Sequence, residues 1–234
     1  MALFLDPLGV KDMNKQSARF AIGWVTLLWI FSGCQTAYYN TMEKFGTHKR
    51  DILADRIEGA RDSQLDTKEQ FNSALEQFSA TLKFKGGTLE EKYKKLNKVY
   101  EKSEDKATEV KDRIAKVEHV AGALFEEWEE ELEQYTNAKL RKNSETQLKA
   151  TKKRYGTLIK AMKKAEKKIQ PVLSALNNQV LTLKHNLNAT AIASLQEELV
   201  TMETDVVSLV KEMEAAIKEA NSFLDTMAKE NGKK

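Results

Sequence analysis

Residues 89–128 read LEEKYKKLNKVYEKSEDKATEVKDRIAKVEHVAGALFEEW. Along them Leu89, Tyr93, Leu96, Tyr100, Ser103, Ala107, Val110, Ile114, Val117, Ala121, Leu124 and Trp128 follow one another in unbroken steps of four and three. Two such steps make about two turns of α-helix, so the stripe lies on one narrow face that only a helix running alongside can cover. Leu132 and Tyr135 extend it, and Lys, Glu and Asp occupy most of the remaining positions, as on a solvated face. No period-two alternation of the kind that marks a half-buried strand is sustained anywhere in the chain.

Three further segments repeat the pattern. The last is as regular, with Ile192, Leu195, Leu199, Met202, Val206, Leu209, Met213, Ala216, Ala220, Phe223 and Met227. The first carries Leu53, Ile57, Ala60, Gln64, Thr67, Phe71, Leu75, Phe78 and Leu82, and polar Gln64 and Thr67 predict a better-packed C-terminal half. The third runs Leu148, Thr151, Tyr155, Leu158, Met162, Ala165, Ile169, Val172, Leu176, Val180, Leu183 and Leu187. Pro171 inside it predicts a kink or short break near Ala165 to Ile169.

Stop signals separate the segments. Gly86-Gly87 ends one helix, and Thr88 with Glu91 three residues on forms a capping box for the next. Thr136-Asn137-Ala138 and Asn188-Ala189-Thr190 make the other turns, with Asn188 or Thr190 as a cap; the latter also fits the N-glycosylation pattern. Short turns between long helices force antiparallel neighbours. The expected fold is all-α: an elongated antiparallel coiled coil or up-down four-helix bundle over residues 47–230, about 60–75 Å long, with 231–234 as a disordered tail. Such a course puts the residues after Cys34, the Asn137 turn and the C-terminus at one end.

Composition agrees. A chain of 234 residues, 41% apolar and 31% charged with two prolines, suits one helical domain. Its net charge of +3, from 38 basic and 35 acidic residues, does not indicate a nucleic-acid partner. At the N-terminus, Lys11, Lys15 and Arg19 precede the apolar run Phe20 to Phe31, the small pair Ser32-Gly33 and then Cys34. That is the layout of a secretion signal, and its 12-residue apolar run is shorter than the ~20 residues of a membrane-spanning helix. Residues 1–33 are expected to be the signal, with 1–12 an over-extended start and Met13 the start that gives a compact basic region. Cleavage before Cys34 makes its thiol the lipid attachment point, with an acyl chain such as palmitate on the new amine, and 34–46 a linker. Gln35 after the cysteine favours the outer membrane. No second cysteine exists, so disulfides and cysteine-based metal sites or nucleophiles are excluded.

The charge distribution is the feature most open to a functional reading. Six glutamates between Glu126 and Glu133 precede a turn, and beyond it come Lys139, Arg141 and Lys142. The basic run continues through Lys149, Lys152, Lys153, Arg154, Lys160, Lys163, Lys164, Lys167 and Lys168. Both blocks oppose their helix dipoles. Either they pair across an antiparallel hairpin, with the acidic last helix helping, or surplus Lys and Arg bind an anionic lipid, a glycan or an acidic protein. Catalytic signals are thin. His48, His119 and His185 lie on different segments without metal-ligand spacing, and Gly86-Gly87 lacks the lysine of a phosphate loop. Glu118-His119 and Lys184-His185 do not make the Glu-x-x-His motifs of a dimetal bundle, so no enzyme, metal or cofactor is expected. Trp128 falls on the stripe and reads as an interhelical anchor, or, if exposed, as an interfacial aromatic.

At Ser32-Gly33-Cys34-Gln35-Thr36-Ala37-Tyr38-Tyr39, Glu43 to Ile52, Phe125-Glu126-Glu127-Trp128-Glu129 and Leu183 to Ala189, the chain resembles a family of uncharacterised Gram-negative lipoproteins classed as a domain of unknown function. The resemblance spans nearly all of residues 32–228. It implies an exported, helical lipoprotein and carries no activity. Together these readings point to a lipid-anchored, periplasmic, non-catalytic scaffold or adaptor of the outer membrane. The alternatives are a BAR-like membrane-binding module using the basic third helix and, behind it, an enzyme or metal-binding bundle. A homodimer and a closed monomer both satisfy the stripes.

Overall fold

The computed structural model describes residues 49–83, 86–185, 189–230 and 232. The signal, Cys34, its linker and His48 lie outside the described residues, as do Leu187 and Asn188. Everything below belongs to the unit Arg50–Lys234, apart from the first residue of α1. Four helices fill it: α1 Lys49–Lys83, α2 Leu89–Leu132, α3 Ala138–His185 and α4 Ala189–Glu230. At 1.5 Å per residue they are about 50–70 Å long. Among the described residues there is no strand, and the fold is an all-α bundle.

Side-chain bonds fix its order. Asp66, Thr67 and Gln70 of α1 meet Lys106 and Ser103 of α2; Lys152 and Lys163 of α3 meet Glu129 and Glu118 of α2. Arg154 and Lys164 of α3 meet Glu230 and Glu212 of α4. Arg61 and Lys68 of α1 meet Asn221 and Glu214 of α4, closing the ring. In every pair one number rises as the other falls, so all four neighbours are antiparallel. The backbone of α3 approaches both α2 and α4 closely.

The turns form as their residues dictate. Gly87, at φ 78°, supplies the left-handed residue before α2. Thr88 Oγ1 accepts the Glu91 N–H at 3.2 Å, while the Thr88 N–H donates to Glu91 Oε2 at 2.8 Å, completing the capping box. Asn137 Oδ1 accepts the N–H groups of Lys139 and Leu140, capping α3. The Leu82 carbonyl, one of the last four of α1 and so without an intrahelical partner, accepts from Gln196 Nε2 of α4 at 2.9 Å. Of the tail, only Gly232 is described: its φ is 66° and its N–H returns to the Lys229 carbonyl.

Four local expectations change. The seam of α1 steps from Phe71 to Ala74, not Leu75: Ala74 is fully buried and Leu75 lies at the edge. With Phe71 and Phe78 both fully buried on this helix, a small residue between them leaves the neighbouring backbones room. Both halves of α1 are equally buried, because Gln64 and Thr67 lie inside the core rather than interrupting it. Thr67 Oγ1 donates to the Ser63 carbonyl at 2.7 Å, and Gln70 Nε2 to Ser103 Oγ of α2 at 3.2 Å, so polar positions of the two seams lie together. Gln64 differs: neither its Oε1 nor its Nε2 has a partner. Tyr135 does not extend α2; the helix ends at Leu132 and the ring is 41% exposed. Nor does Pro171 break α3, which runs continuously through it. The proline is on the exposed face, where the Lys167 carbonyl that loses its N–H partner is open to water.

Candidate functional site

The basic stretch of α3 has a definite architecture. Leu148, Thr151, Leu158, Met162, Ala165 and Ile169 bury one side of the helix. On the heptad they define, with Leu148 as a, the cations fall into two groups. Those on the flanks are bridged to neighbouring helices. Toward α2, Lys152 Nζ donates to Glu129 at 2.6 Å while lying 5.5 Å from the Phe125 ring centroid, and Lys163 pairs with Glu118 at 2.5 Å. Toward α4, Arg154 donates to Glu230 at 2.6 Å and Lys164 pairs with Glu212 at 2.9 Å. Lys149 pairs with Glu145 on its own helix.

The second group stands free. Lys153, Lys160 and Lys167 are the three successive f positions, opposite the seam, and Lys168 follows the last; all four are exposed. Among the described residues none of the four has an ion pair. Seven residues of helix separate the rungs, about 10.5 Å, so the ladder runs about 21 Å. From Thr146 to Thr182 the only acidic residue on α3 is Glu166, which with Glu104 of α2 lines the groove beside Lys167; Lys153 and Lys160 have no carboxylate within four residues along the helix. The opposed helix dipoles are explained by the cross-helix pairs, including Glu133 with Arg141 over the turn. The basic block is thus partly internal strut and partly outward ladder. The f register sets Lys153, Lys160 and Lys167 away from every neighbour, while the pairing of the other cations depends on which carboxylates of α2 and α4 come alongside.

At one end a second cluster joins all four helices. Trp128 Nε1 donates to Ser144 Oγ of α3 at 2.8 Å, and the Arg50 guanidinium of α1 lies 4.7 Å from the Trp128 ring centroid. Glu230 of α4 meets both Arg50, at 3.6 Å, and Arg154. Beside it, Tyr155 meets Phe125 edge-on at 5.4 Å, and burial, with Glu118 adding, pushes its phenol up to about 12. Trp128 is therefore a half-buried interhelical anchor. Arg50 and Glu230 carried no sequence signal beyond their place at helix ends.

This all-helical unit coincides with a known sequence family. The family model described as "Protein of unknown function (DUF2959)" matches residues 38–227. The chain belongs to the DUF2959 family. No curated protein matches it. No group of three or more His, Cys, Asp or Glu among the described residues is placed to hold a metal ion. His119 and His185 are exposed and on different helices. No described helix is long and apolar enough to cross a membrane.

Proposed function

We propose that this DUF2959 chain is a non-catalytic scaffold or adaptor of the cell envelope, lipid-anchored through Cys34 to the outer membrane and facing the periplasm, whose helical faces receive a partner. The observation that carries this reading is the continuity of the seams. Helices of 35–48 residues carry a buried apolar face along most of their length; where polar groups of α1 and α2 meet, the hydroxyls of Thr67 and Ser103 donate to the backbone carbonyls of Ser63 and Val99, and no Asp, Glu or His is buried among the described residues. An enzyme or metal-binding bundle would require polar groups converging in the interior. What supports the anchor is the sequence alone, namely the basic, apolar and small-residue layout that ends at Cys34.

The test is photo-crosslinking in intact cells, with the crosslinker placed in turn on the outward faces of α2, α3 and α4. A scaffold yields the same protein adduct from adjacent positions, and the adduct disappears when Cys34→Ser releases the chain from its membrane. Anchored, folded protein that yields no recurrent adduct from any face contradicts it. The BAR-like alternative keeps one specific support, the four free lysines of α3.

A further inference from the structure

We propose that the free lysine ladder of α3, Lys153, Lys160 and Lys167 with Lys168, seats on the phosphate headgroups of an anionic lipid bilayer. This deepens the membrane-tethered reading above and rests on it. Four features of the ladder argue for a lipid surface. First, the structure separates the cations that hold the bundle together from those that do not. Lys152, Arg154, Lys163 and Lys164 are engaged by carboxylates of α2 and α4. The rungs are left without ion pairs among the described residues, Lys167 having Glu166 and Glu104 beside it.

Second, the surface between the rungs is small and polar. Gly156 and Thr157 are exposed there; of the exposed large apolar side chains, Leu181 lies on the same f line two heptads beyond Lys167, and none lies between the rungs. A specific protein interface has an apolar or aromatic centre, and the stretch that carries the rungs has none. It suits a partner met by charge alone, at headgroup depth and without insertion. Third, the ladder is extended over about 21 Å, so its rungs can meet separate headgroups of an anionic plane at once.

Fourth, the expected tether permits the pose. Lys153 is level with Arg50, because its neighbour Arg154 shares Glu230 with Arg50. About 16 residues separate Cys34 from Arg50, a reach of up to roughly 55 Å. A chain held at Cys34 can therefore lay the start of the ladder on the same bilayer.

The experiment uses the full chain reconstituted through its own N-terminal segment into phosphatidylcholine vesicles with or without phosphatidylglycerol. An amine-reactive ester then acetylates the lysines, and mass spectrometry reads the rate at each. On anionic vesicles the four rungs should react at least about tenfold more slowly than on neutral ones, and high salt should abolish the difference. Lys95, Lys98 and Lys102, exposed on α2, should react equally on both. In the triple variant Lys153→Glu, Lys160→Glu, Lys167→Glu, the protection at Lys168 should disappear while the thermal melt stays in place, since among the described residues none of the three side chains makes a hydrogen bond or ion pair.

Equal rates on both vesicle types overturn the proposal, as do protection of the α2 set in place of the rungs and protection of Lys168 that survives the triple reversal. Protection seen in intact cells and not on anionic vesicles assigns the ladder to another polyanion, and overturns lipid docking too. Because only chain that co-sediments with the vesicles is taken for labelling, failure here is distinct from failure of the anchor, which the mass of the N-terminal peptide reports.

Discussion

Replacing Gln64 with methionine should stabilise the bundle. Gln64 sits on the α1 seam fully removed from solvent, and neither atom of its amide has a hydrogen-bond partner. A buried polar group left without a partner costs about 1–3 kcal/mol. Methionine has nearly the same length, branching and helix propensity, so Gln64→Met removes the penalty without opening a cavity. A gain of about 2 kcal/mol corresponds, for a domain of this size, to a rise in Tm of roughly 4–8 °C. Thermal unfolding followed by far-ultraviolet circular dichroism measures it, with Gln64→Ala beside it. The alanine removes the amide too, yet should gain less than methionine or lose stability, because it leaves a void in a packed seam. A Gln64→Met protein that melts at or below the wild-type temperature would refute the reasoning and mean that the amide is satisfied inside the bundle. The wild-type glutamine is then understood as a residue that fixes helix register at a cost in stability, as polar residues at single seam positions do.

Three further outcomes follow from the same geometry. Trp128→Phe removes the donor to Ser144 and weakens the face on which Arg50 lies, and should lower stability by about 1–2 kcal/mol, read as a lower urea midpoint with an unchanged slope. Gly156→Ala should raise stability by up to about 1 kcal/mol, because a Cβ there meets nothing within 4 Å. Tyr155 should ionise well above the ordinary tyrosine range in an alkaline absorbance titration, its phenol held up to about 12. The folded state keeps that proton after the unfolded chain has released it near 10. The stabilising contribution is therefore intact below pH 10 and is lost as pH rises toward 12; a Tyr155→Phe protein should lose less stability over that window.

Much of the bundle is written in local spacing. The α2 stripe specifies a helix and its buried face without reference to any neighbour, and the Thr88/Glu91 box and the Asn137 cap are decided within four residues. Where the sequence reading of α1 slipped, the reason is geometric. Ala74 and Leu75 are both apolar and both lie within a seam step of Phe71, and only the size of the space between helices selects the smaller. The effect of Pro171 depended on which face it occupies, and its place on the exposed face left α3 unbroken. The basic block was visible as composition, but its division into struts and ladder depends on which carboxylates of α2 and α4 come alongside, a fact of tertiary register. The Arg50, Trp128 and Glu230 cluster was illegible for the same reason: its members lie at the ends of three helices, brought together only when the ring closes.

The central claim is that this helical bundle is tethered to a membrane at Cys34, and intact-mass analysis of the full-length protein recovered from cells tests it most directly. The account predicts an N-terminal peptide beginning at Cys34, its thiol carrying diacylglycerol and its amine an acyl chain, with residues 1–33 gone. A chain that retains Phe20 to Phe31, or one that begins elsewhere with an unmodified Cys34, would contradict it.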